Sequence, residues 1–178
     1  SFFALKALRG FLVTDQLTEL KTDHFLITYY GVYQSDAEDL ANALENNFEQ
    51  IRTDLNDPDH GIVKVFVHPT RTDFNRATGL SSSSVAGTSR GPLEFHILWT
   101  NWYNSVFPDN PAATAVHEFT HCVQLNILIK DTREKLALES AVNFDDVFEK
   151  KFREEYPQWF WEAMAVYEAE ELNILSVK

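Results

Sequence analysis

The chain has one cysteine, Cys122, in 178 residues. A lone thiol excludes an internal disulfide framework and any zinc site built of cysteines alone, and it leaves the compartment open. Basic residues are scarce too, with 15 Lys and Arg against 27 Asp and Glu and a formal net charge of −12. The basic residues form no dense cluster, which argues against a protein that tracks nucleic-acid phosphates or binds an anionic membrane. The expected partners are neutral or cationic. Gly and Pro number only 6 each, too few for collagen-like or low-complexity structure. No N-glycosylation sequon occurs. No uncharged run approaches the roughly 20 residues of a membrane span. The apolar opening from Ser1 to Leu12 is short and is interrupted by Lys6 and Arg9, so residues 1–23 are read as an N-terminal docking segment. The first residue is Ser rather than Met. The expectation is a processed or trimmed chain, or a fragment of a longer one, with a lean toward a secreted or periplasmic place whose targeting segment is absent.

Apolar residues make up 44% of the chain, with 14 Phe, 4 Trp and 6 Tyr, enough for one large core in a single domain. Residues 24–30 (HFLITYY) are β-branched and aromatic and predict a strand ending at Gly31. Ser35 with Glu38 reads as a capping box, and Ala37, Leu40, Ala41, Leu44, Phe48, Ile51 and Leu55 recur at helical spacing behind it. A turn cluster at 56–61 leads into IVKVFVH, a strand stopped by Pro69. Residues 70–78 suit a short helix and Ser81–Ser84 a polar loop. Leu93–Thr100 alternates, with Leu93, Phe95, Ile97 and Trp99 on one face, and predicts a third strand. From Pro111 onward the pattern is helical: 111–129, a charged stretch near 132–153, and 158–172. Strands followed by helices predict an α+β fold.

The chemistry is concentrated in the second half. His117-Glu118-Phe119-Thr120-His121 is an HExxH sequence about two turns inside a predicted helix, with Asn110 as N-cap and Pro111 at the first helical position. Histidines four apart lie on nearly one helical face, about 6 Å along the axis, so both can reach one ion. Glu118 points to the side, where it can hold a water bound to that ion. A catalytic zinc site needs a third protein ligand and keeps a position for water. Glu162 is the candidate, one turn into an apolar helix opened by Pro157 and flanked by Trp159, Phe160, Trp161, Ala163 and Met164. A carboxylate buried there is costly unless a cation meets it.

HEFTH followed on a later helix by Pro157-x-Trp159-x-Trp161-Glu162-Ala163-x-Ala165-x-Tyr167 resembles the gluzincin branch of zinc metallopeptidases, in particular the peptidase MA-like group. The upstream order of strand, helix, strand and edge strand is similar as well, so the resemblance spans roughly residues 24–172. It implies a zincin-like fold, a small mixed sheet whose edge strand packs on the HExxH helix, with a helical C-terminal part. It also implies one Zn2+ per chain on His117, His121 and Glu162, and Glu118 as general base toward a zinc-bound water that attacks a peptide bond. The strand at 93–99 is expected to be the edge that receives an extended substrate. Ala163 stands where that group usually has Gly, and Val166 where thermolysin-like members have Asp. Glu162 follows His121 by 41 residues, which makes 131–155 a helical insert. Gly91-Pro92-Leu93-Glu94 replaces the G-x-M-E-N motif of M1-type aminopeptidases, which argues against recognition of a free amine.

The oxyanion-stabilising group stays open among Tyr103, Tyr156, Tyr167 and His96, and Glu168 is a candidate acceptor for a ligand histidine. Tyr167 and Trp159 are expected to pack on the HEFTH helix, Cys122 to be a small buried residue, and His24, His60 and His68 to be surface or hydrogen-bonded residues. Two further readings stand beside the metallopeptidase acting on peptide or protein. One is a zinc hydrolase of non-peptide amides or esters, and the other is a noncatalytic binding or scaffolding domain.

Overall fold

The structure, a computed structural model, describes residues 16–57, 59–81, 85–99, 111–138, 148, 150–155 and 157–171. Strands β1 (Leu17–Lys21), β2 (Phe25–Tyr30), β3 (Val63–His68), β4 (Gly87–Ser89) and β5 (Glu94–Leu98) form one sheet in the order β1-β2-β3-β5-β4. The inner strands β2, β3 and β5 are parallel, and the outer strands β1 and β4 pair antiparallel. Helices α1 (Gln34–Asp54), α2 (Arg71–Thr78), α3 (Pro111–Leu138) and α4 (Gln158–Glu171) complete a mixed α+β fold, as expected from the sequence. Among the described residues, no helix is long and apolar enough to cross a membrane.

Phe25 and Ile27 of β2, Val63 and Val65 of β3, and Phe95 and Ile97 of β5 are fully buried against α1 and α3. The rings of Phe25, Phe48 and Phe119 meet at 5.2–5.7 Å between centroids and join sheet, α1 and α3 in one core. The apolar face predicted for α1 is the buried one, with Leu55 packed at its margin. Its start differs from expectation. A 3-10 turn, Gly31–Tyr33, runs straight into the helix, Gln34 Nε2 donates to Glu38 Oε1 at 2.9 Å, and no side chain caps the end. The Ser35 capping box is therefore not formed, because Ser35 already lies inside the first turn. For α2 the rule holds: the Thr70 hydroxyl accepts from the Asp73 amide, and Gly79 at φ 74° closes the helix in the left-handed region.

Three expectations are corrected. β1 falls within the stretch read as a docking segment, of which residues 1–15 lie outside the described residues. The strand at 93–99 is internal: β4 pairs along it through Gly87↔Ile97, Thr88↔His96 and Ser89↔Phe95, so the edge beside α3 is β4. A Gly-Thr-Ser strand has no apolar alternation to announce it. Finally, α3 does not stop near 129 but continues to Leu138, since no Gly or Pro interrupts it after Pro111. Of the expected insert at 131–155, residues 139–147 and 149 lie outside the described residues.

A buried polar knot holds α3 in place. The Asp57 carboxylate, wholly buried, accepts from Asn126 Nδ2 at 2.9 and 3.0 Å and from Lys130 Nζ at 2.9 Å, both on α3. The equally buried His60 ring donates to Asp57 at 2.6 Å from Nδ1 and lies 2.9 Å from the Pro92 carbonyl through Nε2. The loop after α1, the approach to β5 and the second half of α3 are tied at one point.

Candidate metal centre

Helix α3 presents opposite faces to opposite tasks. Val116, Phe119, Cys122 and Val123 enter the core, and His117 and His121 turn toward a cleft of about 1010 Å³ between β4, α3 and α4. The Cys122 thiol is buried, as expected, and burial pushes its pKa far up.

His117 Nε2 and His121 Nε2 stand 3.1 Å apart. Glu162 Oε2, arriving from α4, lies 3.4 Å from the first and 3.5 Å from the second. Around an ion with bonds of about 2.0–2.1 Å, tetrahedral donors lie about 3.3 Å apart, so this spacing fits such an ion. The donor types, two imidazoles and one carboxylate, also match three-ligand sites that leave a fourth position for water. The structure thus brings together the three residues the sequence singled out, but not for the reason expected of Glu162. Its side chain is 48% exposed on the cleft wall rather than buried among aromatics. Burial lowers the His117 pKa and the His121 ring adds to the effect, while the Glu162 carboxylate works the other way.

Glu118 is buried at the cleft floor beneath β4. Burial is the main cause that lifts its pKa to about 8, the Glu162 charge adds to the rise, and a hydrogen bond from the Ser89 backbone opposes it. Its side chain occupies the space over Gly87: a Cβ there would come within 2.6 Å of Glu118 Cγ and Oε1. A bare backbone on the edge strand is what lets the carboxylate sit where it does.

The auxiliary candidates fare differently. His96 bonds His68 at 2.9 Å and Glu94 at 3.2 Å, stacks on Phe66, and is not among the cleft-lining residues. Tyr167 is 57% exposed and Trp159 72% exposed, so neither is buried against α3 as expected. The residues of α4 that do turn inward are Trp161, Ala165 and Glu168. Glu168 has no described hydrogen bond to His117 or His121; its carboxyl is raised to about 6, by burial first and then by the charge of Asp54 on α1. Tyr103, Tyr156 and Asn110 lie outside the described residues.

Sequence reasoning missed Gln124. Its Oε1 accepts from His121 Nδ1 at 2.8 Å, and its Nε2 donates to the Trp161 carbonyl at 3.1 Å. The available signal was an amide three residues after His121, one turn along the same helix. Trp161 completes the contact by laying its ring near-parallel to that of His121, with centroids 6.1 Å apart. Compared with known protein families, curated proteins and solved structures, the chain matches none.

Proposed function

We propose that this chain is a zinc-dependent peptide hydrolase with a zincin-like fold of the gluzincin type, in which His117, His121 and Glu162 hold one zinc ion. The observation that carries the reading is the convergence of three donor atoms from two helices, 3.1–3.5 Å apart, beside a buried carboxylate. When bound, zinc supplies a Lewis acid that polarises a carbonyl and makes water more acidic. The remaining steps belong to the chain's own residues. Glu118 takes a proton at its carboxylate from the attacking water and returns it to the amine that leaves, so acid and amine products balance peptide plus water. A cation beside Glu118 favours its ionised form, the one that accepts a proton.

Substrate binding follows from the sheet edge. Among the described residues, β4 pairs with β5 on one side only, and Gly87, Thr88 and Ser89 line the cleft. An extended peptide can add as a further strand there, with its backbone held by β4 and its side chains set toward the cleft walls. Trp161, Val166 and Phe152 make the opposite wall apolar. No Lys or Arg is among the described lining residues, which suits neutral or cationic peptides, as does the net charge of −12.

The test measures metal by elemental mass spectrometry on protein purified without added metal or chelator, beside Glu162→Ala, and screens a peptide library with parent and Glu118→Gln. The expected results are about one zinc per parent chain, much weaker retention in Glu162→Ala, and a Glu118→Gln protein that keeps its metal but hydrolyses about 10²–10⁴-fold more slowly. No zinc even after supply, or a Glu118→Gln variant as active as the parent, overturns the proposal.

A further inference from the structure

Gln124 is not among the described residues that line the cleft, yet it joins the two helices that carry the ligands. The Trp161 carbonyl can only accept, so the amide nitrogen of Gln124 must face it at 3.1 Å. That choice turns Oε1 toward His121 Nδ1 at 2.8 Å, and an oxygen there requires the ring nitrogen to carry the proton. A neutral ring in that tautomer keeps its lone pair on Nε2, the atom that faces His117 Nε2 at 3.1 Å and Glu162 Oε2 at 3.5 Å. The same side chain also reaches Glu162. The Trp161 carbonyl belongs to the peptide bond that joins Trp161 to Glu162, so Gln124 grips the backbone from which that carboxylate leaves. Buried Trp161, stacked on His121, closes the arrangement.

From this geometry we infer that Gln124 is a positioning residue for the metal centre, fixing the His121 tautomer and the approach of Glu162 with one amide. The inference rests on the metal reading above. An amide suits both ends, since it accepts from one partner and donates to the other. Leucine would fill the space and satisfy neither.

The experiment measures zinc affinity by competition with a fluorescent chelator, and apo-protein melting, for the parent, Gln124→Leu and Gln124→Glu. Gln124→Leu should bind zinc about 10–100-fold more weakly, the range for loss of an outer partner of a metal-bound histidine. Gln124→Glu keeps the acceptor for His121 and loses the donor to Trp161, so it should recover affinity to within about fivefold of the parent while its apo melting point stays lowered. Gln124→Leu within twofold of the parent overturns the inference. Gln124→Glu as weak as Gln124→Leu overturns the tautomer role and leaves the residue acting only through the backbone of Trp161 and Glu162. If Gln124→Leu does not fold, long-range ¹H–¹⁵N spectra of the parent apoprotein near pH 8 decide. A His121 ring protonated on Nδ1 supports the inference, and one protonated on Nε2 overturns it. A parent that binds no zinc overturns the metal centre itself, whereas a parent that binds it beside an unaffected Gln124→Leu overturns only the role of Gln124.

Discussion

Gly87→Ala tests how the edge strand seats Glu118. The added Cβ would lie 2.6 Å from Glu118 Cγ and Oε1 and 2.9 Å from its Cδ. Carbon contacts are normally about 3.5–4.0 Å, so the overlap is about 1 Å. Gly87 is not among the positive-φ glycines, so the cost is steric rather than conformational. Overpacking of this kind costs about 1–3 kcal/mol. At about 2–4 °C per kcal/mol for a chain of this size, the melting point should fall by roughly 2–12 °C. On the proposed function, a shift of Glu118 by about 1 Å should cost about 100-fold in kcat/KM toward a peptide substrate. Zinc content should not change, because Gly87 supplies no donor atom. The decisive assay is a double-mutant cycle. Glu118→Ala removes the atoms in conflict, so Gly87→Ala should cost less than about 0.5 kcal/mol in that background, with a coupling of about 0.5 kcal/mol or more. An equal cost in both backgrounds, or Gly87→Ala melting with the parent, refutes the reasoning.

Asp57→Ala leaves His60, Asn126 and Lys130 without their shared acceptor, though Asn126 and the partly exposed Lys130 keep the Asp59 carbonyl, and should destabilise by about 1–3 kcal/mol in urea unfolding; no measurable loss would show that the knot does not hold α3. Burial pushes the Asp57 carboxyl up, but bonds from Asn126, Lys130 and His60 together outweigh it and hold it below 3.8. Its stabilisation is therefore complete above the ordinary carboxylate range and fades as pH falls below it, and unfolding midpoints should show a smaller acid-side loss for Asp57→Asn than for the parent. The opposite sign applies to Glu168, whose carboxyl is raised to about 6. Stability tied to its neutral form is present below the ordinary carboxylate value and lost as pH rises through 6, so Glu168→Gln should gain on the parent across that window. Parallel pH profiles for parent and variant would contradict it. Burial holds the His68 pKa down to about 4, with the His96 charge adding and Asp73 opposing. The parent should gain stability between pH 4 and about 6.5 relative to His68→Gln, as read from denaturant midpoints.

Much of the site was legible because its central geometry is local. In HExxH the helical repeat alone sets His117 and His121 one turn apart and sends Glu118 to another side, whatever surrounds the helix. The strands β2, β3 and β5 and the buried face of α1 were legible for the same reason, since apolar period reports which face meets a core. β1 and β4 escaped because outer strands exposed in part need little apolar alternation. The Ser35 cap failed because the preceding turn had already begun the helix.

Residue type and spacing by themselves determined where helices and inner strands form and the choice of His117, Glu118 and His121, whereas Glu162 was chosen for a burial it does not have and the end of α3 was placed too early. Tertiary structure decided which strand became the edge, how Gly87 makes room for Glu118, and how Gln124 reaches from α3 to the backbone beside Glu162. It also decided that Glu162 stands at a cleft wall, half exposed, with its oxygen 3.4–3.5 Å from both histidines. The division has one physical cause: periodicity governs neighbours a few residues apart, whereas contacts spanning 37 or 41 residues arise only when the core fixes how helices and sheet lie against each other.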